Sequence, residues 1–233
     1  MTATSAASPR TRRELARLGP VAQLRAGRLG RRLPQLFVGL VLYGLTIAMM
    51  IRSRLGNASW DVLHQGLASH LPISIGQAVV GVSLVVLLLW IPLRELPGLG
   101  TVCNTFVIGF TADLFLSLLS APDAWWARVL LMLGGVLLNG VATAMYLGSQ
   151  FGAGPRDGLM TGLHRRTGAS IRVVRTSLEV TVVAIGWLLG GVFGVGTVLY
   201  ALAIGPLAQL MLPYFIVELP AGRGETVPPE GSS

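Results

Sequence analysis

Lysine is missing from this chain of 233 residues; all 18 basic side chains are arginine. A Walker-type phosphate loop therefore cannot be built, and no Gly-x-Ser-x-Gly nucleophile turn occurs. Cysteine is nearly absent. The single Cys103 sits in an apolar run, which excludes an internal disulfide and a cysteine-based metal site. Of three histidines, His64 and His70 are too far apart to form a ligand pair one helical turn apart. Charge is scarce as well, at 12% of residues against 52% apolar ones and a mean hydropathy of +0.68. That is too little polar surface for a water-soluble domain and puts the chain in a bilayer. Neither enzyme chemistry nor a cofactor is expected.

What is present is apolar length. Runs of about 20 apolar residues fall at roughly 33–51, 73–93, 98–120, 129–149, 173–194 and 197–217, giving six expected spans. Eight arginines crowd the first 32 residues beside one acid, Glu14. Such a segment cannot form a core; it is expected to be mostly disordered or to lie on anionic lipid. It lacks the interleaved aromatics of a nucleic-acid arm, and no nucleic-acid partner is expected. Arg31-Arg32 before an apolar run also fits a twin-arginine signal, yet no small-residue cleavage site follows Met50, so a retained first span is the expectation. A cytoplasmic amino terminus gathers these arginines with Arg94, Arg156, Arg165 and Arg166, leaving only Arg52, Arg54 and Arg128 outside. That satisfies the positive-inside bias, and six spans return the carboxyl terminus to the cytoplasm.

The chain also repeats itself. Shifted by 96 positions, Gly39, Gly44 and Met49 fall on Gly135, Gly140 and Met145. Gly56, Asp61, Leu63 and Gly66 fall on Gly152, Asp157, Leu159 and Gly162, and Ser74, Gly98, Gly100 and Thr101 on Ser170, Gly194, Gly196 and Thr197. Apolar residues match by chance; a shared Gly-x4-Asp-x-Leu-x2-Gly-Leu pattern is a duplication signal. Three spans is an odd number, so the two copies are expected to cross the membrane in opposite senses. The expected fold is all-α: two inverted three-helix repeats, 33–120 and 129–217, between an arginine-rich tail at 1–32 and a polar tail at 218–233. Inverted repeats recur in secondary transporters because two equivalent halves give exchangeable inward- and outward-facing arrangements.

The segments after the first span of each repeat carry the most chemistry. Residues 56–73 and 152–172 hold Asp61, His64, His70, Arg156, Asp157 and His164. At about 2.5–3.5 kcal/mol for each central charge, neither can cross the hydrocarbon. They are expected to be loops, interfacial helices or re-entrant half-helices. In the second copy, Gly152-Ala-Gly-Pro-Arg-Asp-Gly158 is a good helix start, with Pro155 suited to the first position and Gly168 to the end. If that helix dips inward, its free N–H groups and Arg156 make an anion site; an ordinary capped interfacial helix fits the same residues.

Those residues carry a resemblance. Gly-Ala-Gly-Pro-Arg-Asp-Gly-Leu-Met at 152–160 with Ser170-Ile-Arg172 resembles the YczE group of the bacterial YczE/YyaS/YitT membrane proteins. Trp60-Asp61-Val62-Leu63-His64-Gln65-Gly66-Leu67, Ile73-Ser-Ile-Gly76 and Trp90-Ile-Pro-Leu-Arg94 agree with it, and the likeness runs over roughly residues 33–217. Asn57-Ala58-Ser59 stands where the resemblance would place Gly-Pro before the first Trp-Asp. It implies a polytopic protein of the bacterial plasma membrane and supplies no substrate.

Within the spans, Arg175 and Glu179 lie one turn apart and can neutralise one another. Glu179, about two turns inside, and Asp113 in the third span are the candidate coupling or gating carboxylates. Asn104, Asn139 and Gln77 can bond across helices, and Gly186, Gly190 and Gly194 let another helix approach, within the chain or in a homodimer. Asp61 and Asp157 could also share a proton as the paired carboxylates of an intramembrane hydrolase, but transporter logic explains the duplication better. The expected function is therefore transport of a small or anionic solute by alternating access. Trp60, Asp61, Gly154, Pro155, Arg156, Asp157 and Gly158 are its expected binding residues, with Arg175, Glu179 and Asp113 gating. The competing expectation is a non-transporting accessory or regulatory membrane protein.

Overall fold

A computed structural model describes residues 19–219. Residues 1–18 and 220–233 fall outside it, and with them most of the arginine-rich segment, its lipid partner and the polar tail. The described residues are helical, with no strand. Their order is α1 Pro20–Arg25, α2 Leu29–Ser53, α3 Ser59–His70, α4 Ile75–Leu93, α5 Leu99–Leu118, α6 Trp125–Gly148, α7 Pro155–Thr167, α8 Ile171–Leu188 and α9 Val195–Phe215.

The 96-residue shift is written into the helix starts. Leu29, Ser59, Ile75 and Leu99 open α2 to α5, and Trp125, Pro155, Ile171 and Val195 open α6 to α9, each pair 96 apart. The local chemistry that sets these starts repeats with them. Ser74 and Ser170 cap α4 and α8 through their side-chain oxygens, while the Thr101 and Thr197 hydroxyls accept from the Gly98 and Gly194 amides. Gly56 and Gly152 both take positive φ, 119° and 109°, which glycine adopts without a Cβ penalty. Ala58 and Gly154, the residues before α3 and α7, share one extended geometry at φ −60° and −64°. Asn57-Ala58-Ser59 therefore opens its helix as Gly154-Pro155 does, because neither cap needs a left-handed residue. Pro155 takes the first turn of α7 and Gly168 its left-handed end, as expected.

Packing repeats as well. Gly39 of α2 faces Ala142 to Tyr146 of α6, while Gly134 and Gly135 face Met49 and Met50. The two helices thus cross antiparallel, through glycines that admit close approach. Gly44 admits Thr111 of α5, and its counterpart Gly140 admits Leu207 of α9. Each short helix packs on the other half, α3 against α8 and α7 against α4. The halves are interleaved, and neither completes its core alone.

Five helices are long and apolar enough to cross a membrane: α2, α4, α5, α6 and α9. Large apolar side chains stand outward on them, Phe110 at 71% and Leu202 at 72% exposure, which a bilayer covers and water would not. The expected fifth span, 173–194, differs. Helix α8 carries Arg172, Arg175 and Glu179 within 18 residues and ends at Leu188, where Gly190 turns the chain at φ 82°. Of Gly186, Gly190 and Gly194, only Gly186 is helical, and it faces the backbone of Val62 and Leu63 inside the same chain. The first span also starts earlier than residue 33. Arg32 is fully buried there and donates to the carbonyls of Gln23, Ser149 and Gln150 at 2.7–2.8 Å, with its guanidinium 4.1 Å above the Phe151 ring. Those acceptors explain how an arginine expected in the solvated tail is held inside.

Candidate functional site

The amino-terminal ends of α3 and α7 point into the protein, and their carboxyl-terminal ends are exposed. Asn57, Ser59, Trp60, Asp61 and His64 are all buried, whereas His70 and Arg165 to Thr167 lie at the surface. Both starts converge on Arg156, whose guanidinium lies 5.8 Å from the Trp60 ring and 5.6 Å from that of Tyr43. Trp60 and Arg156 are counterparts under the 96-residue shift. Two helix starts and a permanent cation favour negative charge at this point, and Asp61 and Asp157 already supply two carboxylates beside Arg156.

Tyrosines organise the site. Arg156 Nη2 donates to the Tyr43 hydroxyl, which lies 3.4 Å from that of Tyr200. Tyr200 donates to Asn139 Oδ1 at 2.9 Å, and Asn139 Nδ2 donates to Thr46 at 2.7 Å. Tyr146 donates to Asp157 Oδ2 at 2.6 Å, a charge-assisted bond that orients the carboxylate. Asp61 meets the His64 ring at 3.1 Å, a pairing that offsets the cost of burying both. Arg156 differs from these acids. It donates to the neutral Tyr43 hydroxyl and interacts electrostatically with both Asp61 and Asp157, so the guanidinium is held between two carboxylates with part of its five-donor fork not hydrogen-bonded to a side chain among the described residues.

A cavity of about 250 Å³ opens beside Arg156. Trp60 and Tyr43 line it from the first half; Tyr146, Asp157, Met160 and Tyr200 line it from the second. Its remaining walls are α8 and α9, with Arg175, Leu178 and Glu179 on one side and Ile204, Ala208 and Gln209 on the other. Arg175 Nε donates to Glu179 at 2.9 Å, so this pair adds no net charge. A second cavity, of about 20 Å³, holds Asp61, His64 and Asn104 against Val79 and Ser83, and Arg156 and Trp60 line it too.

Most of the expected site residues come together here: Trp60, Asp61, Pro155, Arg156 and Asp157 line one or both cavities, as do Arg175 and Glu179. Gly154 lies at the edge, where an added Cβ would sit 3.3 Å from Asp157 Oδ2. Gly158 lines neither; it lies under the Trp90 indole, whose Nε1 donates to the Pro155 carbonyl at 3.0 Å. Asp113 is also elsewhere. It accepts from Ser74 Oγ at 2.5 Å and from the Gly76 amide at 2.7 Å, tying α5 to the start of α4. Gln77, expected to bond across helices, closes a capping box with Ser74 on its own helix. Tyr43, Tyr146 and Tyr200 were missed. Polar counterparts flag two of them, since Tyr43 corresponds to Asn139 and Tyr200 to Asn104.

An all-helical, multi-pass membrane protein with a polar site walled by both of its halves is the class these observations define. Residues 30–213 match the family of unknown function DUF6198, and the chain belongs to it. A Haemophilus influenzae protein described as uncharacterized is 43% identical over 76% of this chain and 81% of its own length. The Bacillus subtilis uncharacterized membrane protein YczE is 31% identical over 77% of this chain and 85% of its own. The uncharacterized protein YyaS of Bacillus subtilis is 26% identical over 76% and 90%. No solved structure matches.

Proposed function

We propose that this protein carries a small anionic solute across the bacterial plasma membrane by alternating access, with Arg156 as the principal binding group. The observation that carries this reading is the 250 Å³ cavity with Arg156 on its wall. Its volume lies below the range of about 300–1,000 Å³ usual for drug-sized ligands, which favours a small solute. Trp60, Asp61 and Asp157 shape the site, while Arg175 and Glu179 gate its mouth. In this reading α8 is a sixth span, made tolerable in the bilayer by the mutual neutralisation of Arg175 and Glu179. The two halves are inverted repeats, and both termini are cytoplasmic. The antiparallel crossing of α2 and α6 supports the inversion. No bond of the solute is made or broken.

The test has two stages. A thermal-shift screen of purified protein against inorganic anions and small carboxylates finds the solute, and flux of that labelled solute into proteoliposomes follows. Flux that falls in Asp61→Asn and Asp157→Asn supports the assignment. Unchanged flux in both removes the site, and an absence of flux for every stabilising anion favours a non-transporting accessory role.

A further inference from the structure

The two cavities are one cavity drawn twice. Moving the small one by 96 positions carries Asp61 to Asp157, His64 to Met160, Val79 to Arg175, Ser83 to Glu179, Asn104 to Tyr200 and Ile108 to Ile204, and every one of these second residues lines the large cavity. The correspondence also works in reverse, since Pro155 and Arg156 of the small cavity fall on Ser59 and Trp60 of the large one. Only Val86 of the small cavity has a counterpart, Val182, outside the large one. Equivalent positions in two equivalent halves thus enclose about 20 Å³ in one half and about 250 Å³ in the other.

The difference lies in one helix pair. Helix α4 packs along α5, and the small cavity is shut beneath that contact; α8 has no comparable contact with α9, and the large cavity fills the space between them. The contact between α4 and α5 has a latch. Asp113 accepts from Ser74 Oγ and the Gly76 amide, and Gly76 and Gly109 admit backbone approach, since a Cβ on Gly76 would sit 2.1 Å from the Gly109 carbonyl oxygen. The latch positions of the other half are Ser170, Arg172 and Gln209. Gln209 is exposed on the wall of the large cavity, and Ser170 and Arg172 are exposed at the start of α8.

We propose that the small cavity beside Asp61 and His64 is the second mouth of the anion site at Arg156, closed in this structure and opened when α4 leaves α5 while α8 closes on α9. This rests on the transport reading, and it assigns Asp113 as the latch that holds the present state. Arg156 and Trp60 line both cavities and stay at the pivot, so a bound anion changes mouths without leaving its cation. Closure of the second half stops short of the first. Arg172 occupies the place of Gly76, so the second half carries a long side chain where the first has none.

Cross-linking tests this without knowledge of the solute. In a Cys103→Ala background, Ser74→Cys with Asp113→Cys reports the contact seen here, and Ser170→Cys with Gln209→Cys reports the contact inferred for the other state. The probe is a short bifunctional thiosulfonate applied to protein in liposomes, with product read by mass. The expected result is that both pairs cross-link, and that adding Asp113→Asn to the 170/209 pair speeds its reaction several-fold. Reaction of the 74/113 pair with none at 170/209, with or without Asp113→Asn, overturns the second mouth and leaves the anion site to the flux assay. Reaction at 170/209 in a protein that moves no anion retains the second mouth and removes transport. If Asp113→Cys fails to fold, the 170/209 pair with and without Asp113→Asn carries the test alone.

Discussion

Gly158 lies beneath Trp90 where α7 meets α4; at the equivalent meeting of α3 and α8 the order is reversed, with Val62 against Gly186. Val62 is the counterpart of Gly158, and Gly186 the counterpart of Trp90. One interface puts its bulk on the long helix and spaces the backbones by an indole. The other puts it on the short helix and lets backbone touch backbone, a Cβ on Gly186 falling 2.4 Å from the Leu63 amide nitrogen. The halves share their helix starts, caps and glycine crossings, and part company in how their long helices close. A common framework with two side-chain solutions lets one sequence hold a wide cavity on one side and a narrow one on the other.

The largest effect expected from breaking this comparison is at the shared pivot. Arg156→Gln removes a charged hydrogen-bond donor worth about 1.5–3 kcal/mol, so anion affinity in a thermal-shift titration falls about 10–100-fold. Trp60→Phe, at the corresponding position of the other half, keeps an aromatic face and costs less than about tenfold. Equal losses in the two variants would show that the halves contribute alike and that Arg156 is not special.

Next come the two interfaces. Gly186→Ala drives a Cβ into rigid backbone and is expected to destabilise the protein by about 3 kcal/mol in detergent unfolding, the upper part of the overpacking range. Gly158→Ala presses on the Trp90 ring, 2.0 Å from the added Cβ, and is expected to cost about 1–3 kcal/mol. Double variants with Trp90→Phe separate the two, because the smaller ring relieves Gly158→Ala and leaves Gly186→Ala unchanged.

The closed and open helix pairs give the finest contrast. Gly109 and Gly205 are counterparts, but a Cβ on Gly109 meets Val80 Cγ2 at 2.6 Å and the Gly76 carbonyl at 2.7 Å, whereas on Gly205 its nearest neighbour is Arg175 Nη1 at 3.9 Å. Gly109→Ala is expected to cost about 1–2 kcal/mol, within the overpacking range. Gly205→Ala stays within about 0.5 kcal/mol of the parent. A matching loss at Gly205 would mean that α8 and α9 are packed in solution and that the gap between them is small.

Much of the framework was legible in the sequence because glycines, capping residues and apolar runs act locally, and local chemistry repeats when the chain does. Asp61 and Asp157 announced themselves as identities across the shift, and Arg156 as a charge too costly for hydrocarbon. The tyrosines were not legible by that route. Tyr43 faces Asn139 across the shift, and Tyr200 faces Asn104, so a search for identities passes over a polar network that changes its residue types between halves. Gly158 is singled out in the sequence because it neighbours Asp157 in a glycine-rich helix start; its place beneath Trp90, 68 residues earlier in the chain, is visible only in the structure. Asp113 was legible as a costly acid but not as a partner of the α4 start, because Ser74 and Gly76 lie 39 and 37 residues before it in the chain.

The most direct measurement is the side of the membrane from which each cavity is reached. Single cysteines at Val82 and Leu178, counterparts that line the small and large cavities, are exposed in sealed vesicles to a charged thiol reagent added outside or trapped inside. Two opposed mouths on one site predict that Leu178→Cys is modified from one compartment and Val82→Cys, more slowly, from the other. Modification of both from the same compartment would contradict the account.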